Sequence, residues 1–189
     1  DTYGISGGEP EERASDINAF FADSGIKALW CAQGGDTANQ VLDHLDFDLI
    51  KKNPKIFIGL SDNTTLLNAI YQKTGLVTFH GTDAKRGNPD EYFDSQYSHE
   101  EFRKRFIEGS REIGRISEWR EVRFGRAKGR IIGGNLRCLL KLAGTEYMPS
   151  FTDTILILEA YSSKTSETLF LLTQLKQMGA FDRVAGIVV

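Results

Sequence analysis

The strongest constraint on the fold is an apolar run that ends in a serine and turns at once into a helix. Lys55-Ile56-Phe57-Ile58-Gly59-Leu60 reads as a buried strand, and beyond Ser61-Asp62-Asn63 the apolar positions Leu66, Leu67 and Ile70 fall at helical spacing. A strand that is apolar on both faces needs cover on both sides, which is the situation of a parallel sheet flanked by helices. The same unit occurs upstream. Residues 26–31 form a short apolar strand, Gln33-Gly34-Gly35-Asp36 breaks it, and Val41, Leu42 and Leu45 predict a second helix. Before that, Pro10 followed by Ala14, Ile17, Phe20 and Phe21 predicts an amphipathic helix ending near Asp23. Residues 76–79 add a third strand, so the chain up to about Gly81 reads as alternating β and α.

The character then changes. Residues 82–126 are charged and turn-rich, with a loop at Arg86-Gly87-Asn88-Pro89-Asp90 and a solvated helix predicted from a Ser98 cap to Gly109. Strands follow at 130–132, 154–158 and 184–189, with helices at 136–142 and 165–178 between them. The expected fold class is α/β, with an N-terminal parallel-sheet domain over 1–85, a connection over 86–124 and a smaller C-terminal α/β domain over 125–189. The chain begins without a methionine and stops inside Gly186-Ile187-Val188-Val189, which reads as strand, so both domains are expected to be truncated.

Composition narrows the partners. Twenty-three basic against 26 acidic residues leave a net charge of −3, without the basic excess that would favour nucleic acid. The apolar runs are strand-length, far short of the roughly 20 residues of a membrane helix. Cys31 and Cys138 sit in apolar segments without metal-ligand spacing and are read as buried reduced thiols, which favours the cytoplasm.

Ligands of open α/β sheets gather at the carboxyl ends of strands, beside helix N-termini. Ser61 lies at such an end, where its hydroxyl stands clear of the sheet. It suits a nucleophile, although Ser61 or Asp62 could instead simply cap the following helix. Gly34-Gly35-Asp36 occupies an equivalent turn, whose N–H groups could hold an oxyanion or a phosphate, or only turn the chain. Gly133-Gly134-Asn135 reads as a third glycine turn opening a helix. Glu159 closes Ile155-Leu156-Ile157-Leu158, and a carboxylate there needs partners, in catalysis or in a salt bridge. His80 is the histidine nearest a sheet edge, while His44 and His99 fall in helical stretches; Trp30 and Trp119 are expected as core or interface anchors.

Taken in order, Glu11-Glu12-Arg13-Ala14-Ser15-Asp16-Ile17, Gly34-Gly35, Asn53-Pro54-Lys55 leading to Gly59-Leu60-Ser61-Asp62, Phe79-His80-Gly81, Gly133-Gly134-Asn135 and Leu158-Glu159 resemble the LD-carboxypeptidase family of serine peptidases, which includes the microcin C self-immunity peptidases. Residues 117–120 and 144–149 look more like the microcin-immunity branch. The resemblance implies a flavodoxin-like first domain lacking its first strand, and a Ser-His-Glu triad between domains with Ser61 as nucleophile and Glu159 as acid. It implies an oxyanion hole from the N–H groups of Gly34 and Asp62, with Gly35, His80 and Asn135 as pocket residues. Its histidine would come from a segment beyond Val189. It further implies amide hydrolysis without metal or other cofactor, a small peptide or peptidyl-nucleotide substrate, and a homodimer. Two rivals stand beside it. Gly34-Gly35-Asp36 is also similar to the nucleotide-binding turn of certain sugar and NAD kinases, with Asp36 helping to hold magnesium; and the chain could be an inactive binding scaffold.

Overall fold

The computed structural model describes residues 7–82, 84, 96–114, 117–161 and 163–189. β2 (Ile56–Gly59) is the centre of a parallel three-stranded sheet, between β1 (Ala28–Trp30) and β3 (Phe79–His80). A second parallel sheet has β5 (Thr154–Glu159) between β4 (Arg130–Asn135) and β6 (Gly186–Val188). The chain is therefore an α/β protein with two parallel sheets.

The helices follow from local chemistry. α1 (Pro10–Ala22) starts on Pro10 with reciprocal contacts between Glu9 and Glu12, and buries Ala14 and Phe21. α3 (Thr64–Thr74) ends on Gly75, whose φ of 76° is the left-handed conformation that closes helices most easily when no Cβ is present. α6 (Thr165–Gln177) lays Leu171 and Leu175 against the second sheet's core.

Several expectations need correction. The single helix expected after Asp36 is two elements: a 3₁₀ helix, Ala38–His44, and then α2 (Phe47–Lys52). The Asp46 carboxylate accepts from the Leu49 N–H, 2.8 Å, and so caps α2 as a new start in mid-pattern. The third strand is shorter and later than expected, because only Phe79 and His80 pair with β2 while residues 76–78 carry the chain from the α3 cap. Ser98 does not cap a helix but lies inside α4 (Gln96–Phe102), which continues as a π-helical turn, Arg103–Ile107. Nor is that helix wholly solvated: Phe102 stacks on Trp30 at 5.1 Å and Phe106 meets Phe79 edge-on at 4.8 Å. The loop expected at residues 86–90 lies outside the described residues.

Gly133 and Gly134 form no turn. They are part of β4, with φ of 115° and 119°, opposite Ile157 and Leu158. A Cβ on Gly133 would stand 2.0 Å from the Ile157 carbonyl oxygen, so the backbones approach as only glycine allows.

The two halves share structure. Leu142, which follows α5 (Leu136–Leu140), is fully buried in the first sheet's core. On α3, Asn68 both donates to the Gly133 carbonyl and accepts from its N–H, and the Thr65 hydroxyl donates to the Cys138 carbonyl. Thr64 and Thr65 are entirely buried, so these bonds complete polar groups that water cannot reach.

Candidate active site

Ser61 stands where β2 passes into α3. Its φ is 56°, an uncommon value for a residue with a side chain and the mark of a strained turn held by its surroundings. The turn is tight because Gly59 has no side chain: a Cβ there would lie 2.5 Å from the Asn63 Cβ. Strand, strained serine and helix in succession is the geometry that lifts a nucleophile out of a sheet, here with asparagine rather than glycine in the final close-packed position. The capping alternative does not hold, since the cap positions belong to Leu60, before the 3₁₀ turn, and Asn63, before α3, and not to Ser61 or Asp62. The Asp62 carboxylate is engaged elsewhere.

Gly34 presses on Ser61 from the neighbouring turn. A Cβ on Gly34 would fall 2.9 Å from the Ser61 Cβ and 3.3 Å from its Oγ. Among the described residues, the Gly34 and Asp62 N–H groups have no acceptor within the chain. The Asp62 carboxylate, 3% exposed, accepts from the Ala38 N–H at 2.8 Å through Oδ2 and from Lys141 Nζ through Oδ1. Lys141 also donates to the Asp36 carbonyl, 2.8 Å. Asp36 is itself exposed. A cavity of about 240 Å³ lies on the α1 side of this turn, lined in part by Arg13, Cys31, Gly35 and Asp62.

The second sheet brings its own strand ends to the same junction. The Asn135 N–H donates to the Thr64 hydroxyl, 3.1 Å, which ties the end of β4 to the start of α3. Asn135 Nδ2 donates to Glu159 Oε1 at 2.7 Å, and the other Glu159 oxygen accepts from the Tyr161 N–H, also at 2.7 Å. Asn135 and Glu159 are register partners across β4 and β5, so the sheet itself sets this contact. His80, the register partner of Gly59, arrives from β3. A Cβ on Gly134 would meet its ring at 2.8 Å and the Thr64 hydroxyl at 2.9 Å. Crowding by protein pushes the His80 pKa below the ordinary histidine value, and the negative charge of Glu159 partly offsets this. Ser61, Asp62, Gly34, Asn135, Glu159 and His80 thus surround the amino end of α3.

The other histidines lie away from it. His44 pairs with Glu11 at 3.5 Å, and His99 is on α4. Cys31 and Cys138 are free thiols whose pKa values burial raises to about 12 and about 11. Trp30 is an anchor as expected, donating to the Thr82 carbonyl at 2.7 Å; Trp119 is not buried, with 60% of its surface exposed. Among the described residues no three His, Cys, Asp or Glu side chains converge as a metal site, and no helix is long and apolar enough to cross a membrane.

Residues 1–81 match the model of the LD-carboxypeptidase N-terminal domain and residues 128–189 that of the C-terminal domain. A probable murein peptide carboxypeptidase of Bacillus subtilis is 35% identical over 99% of this chain and 59% of its own length. This chain belongs to the LD-carboxypeptidase family. Within the family it is also similar to the microcin C7 self-immunity protein MccF of Escherichia coli, 32% identical over 96% of this chain and 60% of that protein. A solved structure of MccF in complex with glutamyl sulfamoyl guanosine superposes with a TM-score of 0.81 at 30% identity, covering 99% of this chain and 64% of that one. The chain thus spans about three fifths of the length of these family members.

Sequence reasoning missed Lys141, Thr64 and Asn68. The buried threonine and asparagine give no signal in a helical pattern, but Lys141 stands as a lone charge in Leu139-Leu140-Lys141-Leu142, where a buried partner is to be expected.

Proposed function

We propose that the full-length protein carrying this chain is a serine carboxypeptidase-like hydrolase that cleaves an amide bond through an acyl-enzyme on Ser61. The observation that carries the reading is the strained Ser61 turn between β2 and α3, with Gly34 pressed against it. Within a family of carboxypeptidases, such strain favours a working hydroxyl over a capping one. Ser61 belongs to a flavodoxin-like first domain, 1–85, and Glu159 to a second, 125–189. The free thiols, Cys138 buried and Cys31 partly so, suit the cytoplasm.

In the mechanism, an imidazole removes the Ser61 proton as Oγ attacks the amide carbonyl carbon. The oxyanion of the tetrahedral intermediate accepts from the Gly34 and Asp62 N–H groups. Collapse breaks the C–N bond, the amine leaves with the proton from the imidazolium, and water repeats the sequence to free the acid. Glu159, steadied by Asn135 and the Tyr161 N–H, orients that imidazole and balances its charge. Our reading takes that imidazole from a segment beyond Val189, as the resemblance implies. A second reading makes His80 the base, favoured by a ring close enough to Glu159 to feel its charge. The substrate is an L-to-D linkage in murein peptides, as the name of the B. subtilis relative suggests, or an acyl linkage to a nucleotide, as the ligand of MccF suggests.

The test is turnover of an L-to-D tetrapeptide and of a peptidyl nucleotide by the full-length protein and its Ser61→Ala variant, with mass-spectrometric detection of label from an active-serine reagent. Labelling of Ser61, and turnover lost in the alanine variant, support the proposal. Undiminished turnover in Ser61→Ala refutes it.

A further inference from the structure

We infer that Lys141 is a positioning residue for the oxyanion hole, reaching from the second half of the chain to lock together the two turns that supply its donors. The inference rests on the reading of Ser61 as nucleophile and goes beyond it to the residue that holds the geometry.

Lys141 Nζ joins two groups in the first half, the Asp36 carbonyl and the Asp62 carboxylate. Asp36 lies two residues after Gly34, and Asp62 directly follows Ser61. The bridge therefore spans from one donor turn to the other. Asp62 extends it, because Oδ2 accepts from Ala38 N–H in the chain segment that continues the Gly34 turn. Two ties thus run between turns that are 24 or more positions apart in sequence.

The pair is placed to be rigid. Only 4% of the Asp62 side chain and 18% of the Lys141 side chain reach solvent. A carboxylate so buried needs its countercharge, and Lys141 is the cation bonded to it. Lys141 cannot drift, because it caps α5 and the next residue, Leu142, is fully buried in the first core. If the two turns separate, their N–H groups no longer converge on one oxygen. Misplacement by about an ångström is enough to cost roughly a hundredfold in rate.

The experiment compares the full-length protein with Lys141→Met and with the double variant Asp62→Asn/Lys141→Met, reading kcat, KM, Ser61 labelling by a fluorophosphonate and the melting midpoint. Lys141→Met should lower kcat and the labelling rate by about tenfold to a hundredfold while KM stays within about threefold. The double variant removes the buried charge but not the need for the bridge, so its midpoint should recover while kcat does not. If Lys141→Met fails to fold, the double variant decides alone. A parental kcat in either folded variant, or recovery of kcat along with the midpoint, overturns the positioning role and leaves Ser61 untouched. Absence of Ser61 labelling and turnover in the parent overturns the nucleophile reading, and the positioning role with it.

Discussion

Gly34 offers the most direct test of the arrangement around Ser61, because a single methyl group reports on it. In Gly34→Ala the new carbon would lie 2.9 Å from the Ser61 Cβ. Carbon atoms rest at about 3.5–4.0 Å, so something must yield by roughly 0.6–1 Å. The conflict is steric alone, since the Gly34 φ lies outside the left-handed region. Overpacking of this kind costs about 1–3 kcal/mol of stability, little of which touches the rest of the fold. Displacing the serine, or the donor beside it, by such a distance should reduce kcat by about a hundredfold. Gly125→Ala is the control: its Cβ would meet nothing within 4 Å. The control should keep kcat within about threefold of the parent. Both variants of the full-length protein are assayed for turnover and for melting midpoint. If Gly34→Ala turns over like Gly125→Ala, with both folded, the Gly34 turn does not serve the reaction at Ser61.

Other expectations follow from the same geometry. Gly133→Ala forces a Cβ to 2.0 Å from the Ile157 carbonyl at a φ of 115°, and should cost about 3 kcal/mol or more, seen as loss of folded protein or a large fall in urea midpoint. The folded-state pKa of His80 is depressed, so its contribution to stability is present above the unfolded value and lost as pH falls through the folded one. Acidification from pH 7.5 to pH 5 should accordingly destabilise the parent more than His80→Asn, and equal falls in melting midpoint would contradict this. Residues 1–189 alone should show no peptidase turnover, whereas the full-length protein does, because a serine hydroxyl without a base is a poor nucleophile. Comparable rates from both, each verified as folded, would instead make His80 the base.

What could be read in advance was what local pattern encodes. Leu66, Leu67 and Ile70 announce α3, and the alternating burial along Thr154–Glu159 matches a strand whose end was placed from the sequence. The halt at Asp46 was hidden because Val41, Leu42 and Leu45 satisfy both a 3₁₀ and an α spacing over so short a span, and the side-chain bond that divides them is not a matter of periodicity. Gly133 and Gly134 were read as a turn because glycine usually marks one. Their actual role, close approach to Ile157, depends on a strand two dozen residues away. At the site, Ser61 and Glu159 could be singled out as strand ends. Lys141 could not be assigned a partner, since its partner is 79 positions distant and fixed only by the packing of α5 on the first core.

The sharing of α3 between the two sheets has a consequence for the order in which the protein comes into being. As the chain leaves the ribosome, β2, Ser61 and α3 are complete long before the residues that satisfy Thr64, Thr65 and Asn68, which lie 65 to 73 positions downstream. Until those residues emerge, the buried face of the helix start lacks partners it has in the finished fold, and the turn at Ser61 is held from the first sheet alone, by bonds such as that of Ala38 N–H to Asp62. The nascent first sheet is therefore a scaffold with a slack turn. The Ser61 turn takes its final form when the second sheet docks, so it is among the last features of the molecule to be born.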